Sequence, residues 1–105
     1  MEDKNMNMQK MMQQAQQMQA KMQRVQEELA QKEIEATAGG GVVKVVATGN
    51  KTLKSISISP EAIDEDDVEM LEDLVLTAVN DALKKADDLS TGEMSKVTGG
   101  LGNLF

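Results

Sequence analysis

Two rhythms of apolar residues divide the chain. From Asn5 to Lys32 no Gly or Pro interrupts a segment made mostly of Gln, Met, Lys, Ala and Glu, all good helix formers. Its apolar positions Met8, Met11, Ala15, Met18, Met22, Val25 and Leu29 advance by alternating steps of three and four, the spacing of a coiled-coil seam. The pattern predicts one helix over residues 5–32, about 40 Å long at about 1.5 Å per residue. So long a rod exceeds what the rest of a small chain can cover, and its stripe calls for another helix. The plainer reading packs the stripe on the chain's own body, which suits Val25 and Leu29 better than the N-terminal half.

Alternation takes over at residue 33. β-Branched residues and turn glycines in EIEATAGGGVVKVVATGNKTLKSISIS predict strands over 33–38, 42–48 and 53–59. Gly39, Gly40 and Gly41 join the first pair, and Gly49, Asn50 and Lys51 the second, giving an antiparallel meander. Ile34, Ala36 and Ala38 share a face in the first strand and Ile56 and Ile58 in the third, and this is the expected core side. The middle strand carries valines on both faces, Val43 and Val45 against Val42 and Val46, leaving a second face for a partner subunit to cover. Pro60 closes the sheet.

A second helix is expected over 64–90, with Asp64 and Asp66 as N-cap candidates and Asp66 and Glu69 at capping-box spacing. Its apolar stripe runs from Val68, Leu71, Leu74 and Val75 through Ala78, Val79, Ala82 and Leu83 to Ala86, wide enough to lie on the sheet. Residues 91–105, with Gly92, Gly99, Gly100 and Gly102, read as a mobile tail with one helical turn near Met94–Val97. The fold class is α+β in a single domain, 1–105: long N-terminal helix, three-stranded antiparallel meander, and long C-terminal helix packed on the sheet.

Composition narrows the chemistry. The chain has no His, Cys, Tyr or Trp, so the usual general bases, thiol nucleophiles and soft metal ligands are missing. The expectation is a protein that is not an enzyme, with no metal, cofactor or small-molecule substrate. The one aromatic residue is Phe105, so base stacking has almost nothing to work with and contact with nucleic acid would go through its backbone. No apolar run approaches the roughly 20 residues of a membrane span, and Glu2 and Asp3 open the chain in place of a signal peptide. A soluble cytoplasmic protein with no membrane partner is expected. The acidic run Asp64–Glu69 lacks the Gly and spaced oxygens of a calcium loop and reads as helix capping. Gly39–Gly41 joins two strands instead of opening a helix, and so reads as a hairpin and not a phosphate cradle.

Charge changes the picture most. The chain has a formal charge of −7, yet no acidic residue lies between Lys4 and Gln26. On a wheel of about 100° per residue with Lys10 at zero, Lys21 falls near +20°, Arg24 near −40° and Lys32 near +40°, while the seam centres near +110°. Glu28 lies between Arg24 and Lys32 and is expected to pair with them. The uncompensated stripe is then Lys10, Lys21 and Arg24. Its plain alternative is a solvated face. From Glu61 to Glu93, by contrast, 12 acidic residues against Lys84 and Lys85 give −10. A nucleic acid would approach such a molecule from its basic helix, with the acidic helix facing away.

The Met- and Gln-rich start, GGGVVKVVATGN, SISISPEAID, MLEDLVLTAVNDALKKA and MSKVTGGLGNLF, taken in order, resemble the YbaB/EbfC family of bacterial nucleoid-associated proteins over nearly the whole chain. The resemblance implies a homodimeric, cytoplasmic, nucleoid-associated protein that binds double-stranded DNA and influences gene expression. Dimerisation would run through the sheet region, with the first helices projecting as arms. Carried over by position, DNA contacts would come from Lys10, Lys21 and Arg24, and from Lys84, Lys85 and Lys96. The dimer or helix seam would use Met8, Met11, Met18, Met22, Val25, Leu29, Val42 and Val46. A second reading, from the residues alone, is a helical interaction module whose Met-lined arm grips another protein.

Overall fold

The computed structural model describes residues 2–102, with side chains described from 7 to 97. Helix α1 (Glu2–Gln31) leads into strands β1 (Glu33–Ala38), β2 (Val43–Thr48) and β3 (Leu53–Ile58), and helix α2 (Val68–Gly102) follows. The strands form one antiparallel sheet in the order β1-β2-β3. Helix α1 and the three strands therefore stand close to where the periodicities place them.

Pairing of Ala36 with Val45 and Ile56, and of Ala38 with Val43 and Ile58, sets one face of the sheet. Helix α2 lies on this face over β1 and β2, with Ala78 and Ala82 fully buried against Ala36, Val43, Val45 and Ala47, and Ala86, one turn further on, also fully buried. Four-residue spacing puts the three alanines on one ridge, and their small side chains let the helix approach closely. The opposite face carries Glu35 paired with Lys44 at 3.0 Å, and Lys54 paired with Glu33. Within this polar surface Val46 is half-buried and Ser55 and Ser57 are exposed.

Four expectations are corrected. Ile56 and Ile58 do share the core-side face, but they stay exposed because α2 covers only the other two strands. Val42 does not join Val46 on the outer face: at φ −71° and ψ −22° it still belongs to the turn after Gly39–Gly41, and it packs against the core beneath α2. That turn needs glycine, since all three residues have positive φ and a Cβ on Gly39 would lie 2.8 Å from Val42. Asp67, not Asp64 or Asp66, caps α2: its carboxylate accepts the Met70 N–H at 3.2 Å, while Asp64 accepts from the Asp66 N–H at 2.9 Å. The helix starts later than 64 for that reason. It also ends later, since α2 continues through Gly92 to Gly102 where a tail was expected from residue 91. Residues 103–105 of that tail lie outside the described residues.

The molecule is elongated, 78 × 23 × 16 Å. No helix among the described residues is long and apolar enough to cross a membrane.

Candidate nucleic-acid interface

The root of α1 is anchored at three points. Leu29 is 2% exposed, and its carbonyl and that of Lys32 both accept from the Gly49 N–H, at 2.9 and 3.0 Å. A Cβ on Gly49 would sit 2.7 Å from the Leu29 carbonyl oxygen, so the β2–β3 turn reaches the helix only as glycine. The third anchor is α2, whose last turns run antiparallel beside α1. The Lys32 ammonium meets Glu93 at 3.3 Å, and an open groove of about 290 Å³ is lined by Lys21, Arg24, Val25, Glu28, Glu93, Lys96 and Val97.

Burial along the seam falls steadily outward. Leu29 is buried, Val25, Met22 and Met18 are half-buried, and Met11 is 67% exposed. The inner part of the expected seam is therefore used within the chain, as is Val42, while Met8, Met11 and Met12 project on an arm.

The six expected DNA contacts fall in three places. Lys21, Arg24 and Lys96 are brought together in the groove at the root of the arm. Lys10 stands about 16 Å further out along α1. Lys84 and Lys85 sit on α2 beside β1, where Lys85 pairs with Asp81 at 3.3 Å and donates to the Glu35 carbonyl at 3.4 Å. Lys96 pairs with Glu93 at 3.4 Å. Among the described residues Lys10, Lys21, Arg24 and Lys84 make no ion pair, and all four are exposed.

Glu28 does not take the partners expected of it. Lys32 turns instead to Glu93, which the longer α2 carries within reach. Hydrogen bonds from Lys32 and then Lys96 hold the Glu93 carboxyl below the usual carboxylate range. This junction was not foreseen from the sequence, although Leu89, Met94 and Val97, now half-buried, continue the apolar spacing of α2 past Ala86. A second unforeseen feature is an apolar groove of about 440 Å³ on the sheet body, lined by Ile58, Leu71, Glu72, Val75, Leu76 and Val79. It adjoins the free edge of β3, and Leu76 in it is 60% exposed.

The cations of the arm, exposed, without an ion pair among the described residues and set apart from the acidic body, suit it to contact with a polyanion. Comparison with known proteins points the same way. A nucleoid-associated protein of Acetivibrio thermocellus is 60% identical over 98 residues, covering 93% of this chain and 87% of the relative. One from Chloroflexus aurantiacus is 55% identical over 100 residues, 95% of this chain and all of that one. The crystal structure of an uncharacterized Helicobacter pylori protein superposes with a TM-score of 0.68 at 20% identity, over 74% of this chain and 82% of that one, and so shares the fold. The sequence profile of the YbaB/EbfC DNA-binding family matches residues 4–101, and with relatives this similar the chain belongs to that family.

Proposed function

We propose that the protein is a nucleoid-associated homodimer that binds double-stranded DNA mainly through backbone phosphates, with weak dependence on base sequence, and thereby influences nucleoid organisation and gene expression. The observation that carries this reading is the state of the α1 cations. Lys10, Lys21 and Arg24 are exposed and free of ion pairs among the described residues, whereas the body, Lys84 apart, matches its cations Lys32, Lys44, Lys51, Lys54, Lys85 and Lys96 with carboxylates. Free cations on a stretch of helix with no acidic residue between Lys4 and Gln26 attract phosphate and carry little sequence information.

Dimerisation is supported by the groove at Ile58, Leu71, Val75 and Leu76, together with the exposed Ile56 on the same face. An edge strand with apolar side chains is a template for a second strand, and burying such a face contributes roughly 25 cal/mol per Å². A second copy seated there leaves both arms free.

The test is titration of unrelated duplexes at low and moderate salt, with sedimentation of the same preparation. A dimer that binds both duplexes comparably and releases them as salt rises is expected. A folded protein that ignores duplex DNA at low salt would overturn the reading and leave the Met-lined arm as a protein-binding element.

A further inference from the structure

The cations of the arm are not alone on their face. Lys10, Gln14, Gln17, Lys21 and Arg24 advance by four, three, four and three residues, and on the helical wheel they stay within about ±40° of Lys10. All five are exposed. They form a second stripe on α1, separate from the methionine seam, with two amides set between two cations.

From this arrangement we infer that Gln14 and Gln17 read adenine edges in the major groove, so that the weak sequence dependence of binding is a preference for A·T pairs. The inference rests on the proposed DNA-binding role of α1. With α1 lying in the major groove, Lys10 and Lys21 stand about 16 Å apart along it and can reach phosphates at the two ends of the contacted stretch. Gln14 and Gln17 lie between them with a rise of about 4.5 Å, close to the roughly 3.4 Å between base pairs. The amide suits this position where other long side chains do not. Glu would be repelled by the phosphates, and Lys or Arg would favour phosphate or guanine. A Gln amide can donate to adenine N7 while its carbonyl accepts from the N6 amino group.

The experiment compares two duplexes of equal length, one containing adenines and one all G·C, and a third in which 7-deazaadenine removes the N7 acceptor. The parent protein should bind the adenine duplex about tenfold more tightly than the G·C duplex, and 7-deazaadenine should erase most of that difference. The Gln14→Ala/Gln17→Ala variant should bind all three alike, at the parent's affinity for the G·C duplex and with an unchanged salt slope, because the cations remain. Equal binding of the parent to adenine and G·C duplexes overturns the inference and leaves the phosphate reading standing. So does a preference that survives either 7-deazaadenine or the double substitution. Absence of binding to every duplex overturns both.

Discussion

Replacing Lys10, Lys21 and Arg24 together by Gln should flatten the salt dependence of DNA binding while leaving the fold intact. All three side chains are exposed, make no ion pair among the described residues and point away from the methionine seam, and Gln is nearly as good a helix former. A dimer offers six such cations, and at about −0.9 per neutralised phosphate the slope of log affinity against log salt is about −5. Between about 50 and 200 mM salt the parent should then lose about three orders of magnitude in affinity. In the triple variant the remaining candidates are Lys84, Lys85 and Lys96, two of which are occupied by Asp81 and Glu93. Its slope should be shallower than about −2, and binding at low salt should weaken by a similar factor for unrelated duplexes. Fluorescence anisotropy over a salt series measures the slope, and circular dichroism confirms that the helices persist. A triple variant with the parent's affinity and slope would refute the reasoning and reduce the stripe to a solvated face.

Placing Lys at Ile58, in the apolar groove beside the β3 edge, should convert the dimer to a monomer at micromolar concentration in sedimentation, and an unchanged dimer would move the interface elsewhere. Glu28→Gln should raise DNA affinity about threefold per arm at low salt, since its carboxylate shares the groove with Lys21, Arg24 and Lys96, whereas Asp66→Asn at the other end of the molecule should change it little. Gly49→Ala should destabilise the protein by about 1–3 kcal/mol in chemical denaturation, because its Cβ would press on the Leu29 carbonyl. For Glu93 the folded carboxyl is held low by Lys32 and Lys96, so its contribution is complete above the ordinary glutamate range and is lost as pH falls through the lowered value. Amide shifts of residues 90–97 should report loosening of α2 from α1 in acid, and Glu93→Gln should remove that transition.

Most of the secondary structure was legible because each segment obeys one period without competition. The first helix has no breaker for more than six turns, and the strands are bounded by Gly39–Gly41, by Gly49 and Asn50, and by Pro60. The misreadings have different causes, and the largest arises where tertiary contact outweighs local preference. Gly92 and the later glycines each cost a helix about 1 kcal/mol relative to Ala, which argued for a tail. Helix α2 continues because Glu93 reaches Lys32, and Met94 and Val97 gain partial burial, contacts between residues some sixty positions apart. The cap at Asp67 was hidden among neighbouring acids, and only the turn from Pro60 to Asp66 fixes which one enters the helix. Exposure of Ile56 and Ile58 follows from dimensions: a helix about 10 Å across covers about two strands spaced about 4.8 Å apart, and this sheet has three. Alternation reveals which face a strand turns inward but not whether anything lies there. The basic stripe was legible on a helical wheel, but its meeting with Lys96 required the full length of α2.

On the proposed function, how a protein of charge −7 would present a cationic surface to DNA is answered by where its charges lie. From Glu93, beside the root of the arm, α2 runs back about 37 Å to its acidic start, and from Lys32 α1 runs out about 33 Å to Lys10. The two helices are antiparallel at their contact, so these lengths add to about 70 Å, in keeping with a molecule 78 Å long. At about 0.1 M salt the screening length is about 10 Å, so repulsion from Asp64–Asp73 scarcely reaches a duplex held at the arm. Closer in, the groove at the root is lined by Lys21, Arg24 and Lys96 against Glu28 and Glu93, and with Lys32 paired to Glu93 beside it the local charge is +2. Net charge therefore describes neither end of this chain. On the proposed reading the acidic body limits contact to the arms and prevents the DNA from wrapping the sheet, and the polarity that lowers affinity also fixes the orientation of the complex.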